Sequence, residues 1–227
     1  MMKKVILLLL FTGINVSLLF SQIDEKMSNA YLEYKIVKNR EMYNGSDYSR
    51  IEGSAYFPEE FVNGKVFLLT GDSLRVSLRY DLFQDQVEFK DKEKILWLAP
   101  ANVKSVQVAD EMMEVHNYMK GDKAVTGYFV CVKCGKNSLL KKQSVRFVSA
   151  DAPKAFQETR PARFEKNDDE YYLKTADGQF FKAKNKSDLE DNFAGKQQVS
   201  AFIKTNKIKA GKEKDLLKLV DYLNTLD

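Results

Sequence analysis

From Val66 to Phe89 the chain alternates. In Ser73-Leu-Arg-Val-Ser-Leu-Arg-Tyr80, Leu74, Val76, Leu78 and Tyr80 fall on one side of an extended chain and Arg75, Ser77 and Arg79 on the other. Successive strand side chains point to opposite faces, so this pattern predicts a half-buried strand. Gly71-Asp72 is turn chemistry, and Val66 to Thr70 before it is a second apolar run; the two predict a hairpin. Gln86 to Lys90 alternates again, with Val87 and Phe89 together and Glu88 opposite, and Ile95 to Leu98 follows after a polar link. Strands joined this closely make an antiparallel meander with one apolar and one wet face.

The period of two extends in both directions. Gly53 to Phe57 reads as a short strand stopped by Pro58, and Asn63-Gly64 opens the meander. Val103, Val106 and Val108 predict a strand, Met112 to Tyr118 its partner, and Gly121-Asp122 a turn. Gly127 to Cys134 is the most β-prone run; Gly135 to Asn137 turns it and Leu139 to Val148 returns. Strands at this spacing predict a mostly antiparallel sheet, strongly twisted or barrel-like. Ser149 to Asn167, punctuated by Pro153 and Pro161, reads as a connector. Asp177-Gly178 lies between Glu170-Tyr-Tyr-Leu and Gln179-Phe-Phe-Lys, a hairpin signal because glycine supplies positive φ cheaply.

The period then changes to 3.6. Ser187-Asp-Leu-Glu190 fits a capping box, Ala194-Gly195 a helix stop. Val199, Phe202 and Ile203 share one face of a second helix; Leu216, Leu219, Val220, Leu223 and Leu226 form the stripe of a third. Helices this short are marginal alone and need a surface to pack on. The expected class is therefore α+β, with a helical tail over residues 185–227 packed on a β domain over 53–184. That tail is expected to dock near the Tyr171 to Lys184 hairpin.

The first 21 residues stand apart. Lys3 and Lys4 precede an apolar run, and Ser21 is a small residue suited to a cleavage site, the pattern of a secretory signal peptide. The alternative is an uncleaved membrane anchor, but Thr12, Gly13, Asn15 and Ser17 interrupt the run, where a spanning helix wants about 20 mostly apolar residues; no stable membrane span is expected after cleavage. The first cysteine is Cys131, so an N-terminal lipid anchor on cysteine is not expected. Residues 22–52 are a polar N-terminal segment. Losing Lys3 and Lys4 lowers the net charge from +4 to +2, too little to attract nucleic acid.

Several of these segments together resemble a known group. Gly53-Ser-Ala-Tyr-Phe57, the Leu78-Arg-Tyr80 strand with Val87-Glu-Phe89, Pro161-Ala-Arg-Phe164, Glu170-Tyr-Tyr-Leu173 and the lysine-rich helical tail resemble an exported protein family of Bacteroidetes-type bacteria with no assigned activity. The resemblance implies export and a compact β-plus-helix build. It transfers no catalytic residue.

Candidate chemistry is sparse. Cys131-Val-Lys-Cys134 is a CxxC pair on β-type flanks, without a second ligand pair for zinc; packing cysteines or a link across the Gly135 turn fit better. His116 is the lone histidine, with no GxSxG context and no phosphate-binding glycine loop in the chain. Asn167 to Glu170 lacks the ligand alternation of a calcium loop. No cofactor, metal site or catalytic residue is expected. Among 15 Phe and 11 Tyr, the pairs Tyr171-Tyr172 and Phe180-Phe181 put a ring on each face of their strands. They are the candidate binding residues beside a default of core packing. The expected function is a non-catalytic envelope protein, periplasmic or extracellular, that binds a partner protein or small ligand through its β scaffold. The alternative is a hydrolase-type enzyme whose carboxylates and His116 meet only in the fold.

Overall fold

In the computed structural model, described for residue 48 and residues 51–91, 94–152, 159–193 and 195–226, the meander is the middle of one large sheet. Residues 1–21, where a signal peptide is expected, and nearly all of residues 22–52 lie outside the described residues. Twelve strands are formed among the described residues: β1 Tyr56–Leu68, β2 Ser73–Asp81, β3 Gln86–Asp91, β4 Lys94–Trp97, β5 Val103–Val108, β6 Glu111–Lys120, β7 Lys123–Lys133, β8 Ser138–Lys142, β9 Val145–Val148, β10 Arg163–Lys166, β11 Glu170–Lys174 and β12 Phe180–Lys182. Ten of them make a sheet in the order β12-β11-β8-β7-β6-β5-β1-β2-β3-β4, antiparallel at every pairing. The remaining two, β9 and β10, pair separately.

The sheet curls without closing. From β8 to β2 the order runs through five strand steps, about 24 Å if the sheet were flat at ~4.8 Å per step. Yet Lys142 Nζ on β8 lies 3.2 Å from the hydroxyl of Tyr80 on β2. The Tyr128 hydroxyl on β7 likewise reaches the carbonyl of Leu98 just past β4, at 3.3 Å. Curling of this degree buries Val66, Leu78, Tyr80, Val87, Leu98, Val106, Met113 and Tyr128. The hydrogen-bonded order nonetheless ends at β12 and at β4, so the barrel-like expectation is corrected to an open sheet. Val145–Val148, read from sequence as the end of one long return strand, leaves the large sheet to pair with Arg163–Lys166. The segment read as a bare connector thus supplies β10, whose Phe164 is buried against Ala55 and Val145.

Two further local readings change. Pro58 does not stop a strand: β1 runs on through it, with three extra residues between Phe57 and Val62 against β2. That bulged start covers part of the face expected to be wet. Arg79 lies over the rings of Tyr56 and Phe61 at 3.5 and 4.3 Å and holds the buried Glu88 across the strand pair at 2.7 Å. Gly64 is inside β1, not at its start. A Cβ there would collide with the Gln107 carbonyl and come within 2.7 Å of Leu78, so close strand packing requires glycine.

Three helices follow: α1 Lys186–Asn192, α2 Gln197–Thr205 and α3 Glu213–Leu223. The α1 capping box sits two residues earlier than expected. Asn185 accepts from the Asp188 amide at 3.0 Å, and Asp188 reaches back to the Asn185 amide at 2.8 Å, while Ser187 bonds Asp191 instead. The helices pack on one face of β8, β11 and β12. Leu139, Leu173 and Ala183 share a buried cluster with Leu189, Phe193, Val199, Ile203, Leu216, Leu219, Val220 and Leu223. Leu226, expected in the α3 stripe, is exposed because the helix ends at Leu223 and the chain turns after Asn224. No described helix is long and apolar enough to cross a membrane.

Candidate functional site

The far end of β8 carries a lysine where a strand approaching the core would carry an apolar residue. The Lys142 side chain is 7% exposed. It crosses the curl to meet Asp85, in the turn between β2 and β3, at 2.5 Å, and also donates to the Tyr80 hydroxyl and, at 2.8 Å, to the Tyr128 carbonyl. Asp85 adopts a positive φ of 57°, which turns its carboxylate inward. It accepts from the hydroxyls of Tyr80 (2.6 Å) and Tyr118 (3.2 Å) and from the Tyr128 amide (3.3 Å). The rings of Phe129 and Tyr118 lie 4.9 and 5.3 Å from the ammonium. Gly127 makes the cluster possible, since a Cβ there would overlap the Asp85 carboxylate and lie 2.9 Å from both Lys142 Nζ and the Tyr118 ring.

Burial pulls the Lys142 ammonium below the usual lysine range, and Asp85 opposes that pull. Burial and the neighbouring Asp85 carboxylate push the phenols of Tyr80, Tyr118 and Tyr128 well up, so all three act as hydrogen-bond donors, not anions. A lysine whose three donors are already placed on protein oxygens is poorly set to attack a substrate. It is well set to form a rigid, charged floor.

That floor opens into a cleft of about 250 Å³. Its walls include Leu82, Phe83, Met119 and Val145, and its polar rim includes Lys120, Ser144, Asn167, Glu170 and Lys182. A buried charge pair at the base of a part-apolar cleft is the combination that marks binding sites. Three lysines against Asp85 and Glu170 leave a local balance of +1. No local motif marks this site, because Asp85, Tyr80, Tyr118 and Lys142 are dispersed along the chain.

The residues singled out from sequence lie elsewhere. Tyr171 and Phe181 face the helices. Tyr171 donates to Glu213 at 3.1 Å, and Phe181 meets Phe193 edge-on at 5.8 Å. Tyr172 and Phe180 face the opposite way, stacked on each other at 5.3 Å beside Phe129. The hairpin is thus sandwiched, and its four rings are divided between two packing clusters. His116 stacks on Phe180 at 4.4 Å and bonds Glu114 at 2.8 Å; Lys174 reaches the same carboxylate oxygen at 2.6 Å. Neither His116 nor Cys131 lines the Lys142 cleft. Cys131 and Cys134 form a disulfide, accommodated by an irregularity in β7 between Cys131 and Lys133.

No family model, curated protein or solved structure matches the chain.

Proposed function

We propose that the protein is an exported, non-catalytic binding module of the cell envelope, and that its ligand is a small molecule with an acidic group and an apolar body. The observation that carries this reading is the Lys142–Asp85 pair forming the floor of the cleft, with Lys120 and Lys182 at the rim. Lys120 suits an anionic group, Lys182 being paired with Glu170 at 2.5 Å, and the Leu82, Phe83, Met119 and Val145 wall suits an apolar body. Export is supported by the charged, then apolar, start of the sequence and by the Cys131–Cys134 disulfide, a bond that persists in oxidising compartments. The hydrolase-type alternative is less favoured, because His116 meets the single carboxylate of Glu114, which Lys174 already holds, and the adjacent sulfurs are tied in a disulfide.

Thermal unfolding in the presence of small carboxylates and phosphate esters tests the reading. At least one acidic compound is expected to raise the Tm of the wild type, with a smaller effect on Lys120→Glu and on Met119→Trp, which fills the cleft mouth. The reading fails if no compound shifts the Tm or if both variants respond as the wild type does. Hydrolysis of chromogenic esters that is lost in His116→Ala would instead establish the alternative.

A further inference from the structure

The disulfide does not stand alone. One carboxylate oxygen of Glu114 and the sulfurs of Cys131 and Cys134 all lie within 4.8 Å of one another. The strand register explains the meeting. Glu114 on β6 sits opposite Phe129 on β7, and Cys131 is two residues further along, so Glu114 and Cys131 share a face. The irregularity after Cys131 lets the chain bring Cys134 back to the same point. His116, two residues from Glu114, also lies on that face and bonds Glu114 Oε2, as does Lys174.

Two thiolates and a carboxylate are the ligand types of a zinc-class cation, which accepts three protein ligands and leaves a fourth position for water. We infer that the reduced protein binds one such divalent cation through Cys131 Sγ, Cys134 Sγ and one Glu114 carboxylate oxygen, and that the disulfide is the metal-free, oxidised form of the same site. His116 is a positioning residue. Its bond to Oε2 orients the carboxylate, the service that outer hydrogen bonds give to metal-bound carboxylates. Lys174 completes the charge balance. Three anionic ligands around a divalent ion leave −1, and the ammonium 2.6 Å from Oε2 neutralises it.

The interconversion balances. A dithiol reductant gives two electrons and two protons to the Cys131–Cys134 bond. The S–S bond breaks, two S–H bonds form, and the reductant leaves as its own cyclic disulfide. Metal uptake then releases the two thiol protons. The inference is independent of the ligand proposed for the Lys142 cleft, which shares no residue with this site.

The test uses the full chain, reduced with excess dithiol, desalted without oxygen and equilibrated with zinc or with cobalt. Reduced wild type should hold one equivalent of zinc and, with cobalt, show thiolate-to-metal charge-transfer absorption; the oxidised protein should do neither. Glu114→Gln should weaken binding at least tenfold with circular dichroism unchanged. His116→Ala should weaken it by about 10- to 100-fold without removing the thiolate absorption. The double variant Cys131→Ser plus Cys134→Ser should bind nothing. Absence of zinc from the reduced, folded wild type would overturn the inference. So would a Glu114→Gln affinity equal to that of the wild type, which would reduce the site to two cysteines.

Discussion

Asn224 and Asn137 hold each other by three hydrogen bonds. Asn224 Oδ1 accepts from the backbone amide of Asn137 at 3.0 Å and from its side-chain amide at 3.2 Å, while Asn224 Nδ2 donates to the Asn137 carbonyl at 3.1 Å. Asn137 Oδ1 in turn accepts from the Ala176 amide at 2.9 Å. One asparagine at the end of α3 is thereby tied to the β7–β8 turn, and through it to the β11–β12 turn. Asn137 is buried, so Asn224→Ala takes partners from polar groups that water reaches poorly. The expected cost is about 1–3 kcal/mol, read as a lower urea midpoint. An unchanged midpoint would mean that water replaces Asn224 without penalty.

The α3 stripe gives a second prediction. Leu219 is fully buried in the cluster shared by the helices and the sheet, and Leu223 is nearly so. Leu219→Ala should cost roughly 2–5 kcal/mol and lower the unfolding of sheet and helices together, in one transition. Lys214→Ala, on the polar side of the same helix, should leave the midpoint within about 0.5 kcal/mol. Two separate transitions in Leu219→Ala, by far-ultraviolet circular dichroism and Tyr fluorescence, would show that the tail unfolds apart from the sheet.

What could be read in the sequence was local. The Leu74 to Tyr80 alternation, the Gly71-Asp72 and Asp177-Gly178 turns, and the Leu216 to Leu223 stripe each depend on neighbours a few residues away, and each corresponds to an element. Ser187-Glu190 and Asn185-Asp188 both fit a capping box, and the choice between them rests on where the chain leaves β12, which is not a local property. Strand spacing does not say whether the last edge meets the first, so it fits a strongly twisted open sheet as well as a barrel-like one. The aromatic pairs were visible as one ring per face, but which clusters would cover them was not. The Lys142 cleft is not legible in the sequence, since Asp85 and Lys142 meet only when the sheet curls over the five strand steps from β8 to β2.

The Lys142–Asp85 pair yields a third prediction. Removing one member of a buried pair leaves the other charge without compensation, so Lys142→Met should cost about 3–5 kcal/mol. Asp85→Asn keeps the short side chain that tolerates a positive φ and removes the charge. In the double variant Lys142→Met plus Asp85→Asn, the uncompensated carboxylate is gone, and stability should recover by at least 1 kcal/mol, roughly, from Lys142→Met alone. A denaturant-based double-mutant cycle measures this. Strict additivity of the two single variants would mean that the pair contributes no coupling and that Lys142 acts through its tyrosine and carbonyl partners alone.

Glu114 gives a prediction with a sign that can be worked out in advance. Burial acts to raise its carboxyl, but the hydrogen bonds from His116 and Lys174 prevail and hold it below its ordinary value of 4.5. A carboxyl depressed in the folded state binds its proton more tightly in the unfolded chain. Its stabilising contribution is therefore complete above about pH 4.5 and is lost as pH falls through that value towards the folded one. Other depressed carboxyls, such as that of Asp177 beside Lys196, slope the same way, so the wild-type profile alone does not isolate Glu114. The difference between wild type and Glu114→Gln does. In the oxidised protein, urea midpoints should separate the two most at about pH 6–7 and converge as pH drops below about 4.5. Lys174→Met should show a smaller separation from Glu114→Gln at neutral pH, because one of the two bonds that depress the carboxyl is gone. A gap between wild type and Glu114→Gln that stays constant from neutral pH to about pH 3.5 would mean that Glu114 contributes by shape and packing, and that its charge does not engage Lys174 and His116 in solution.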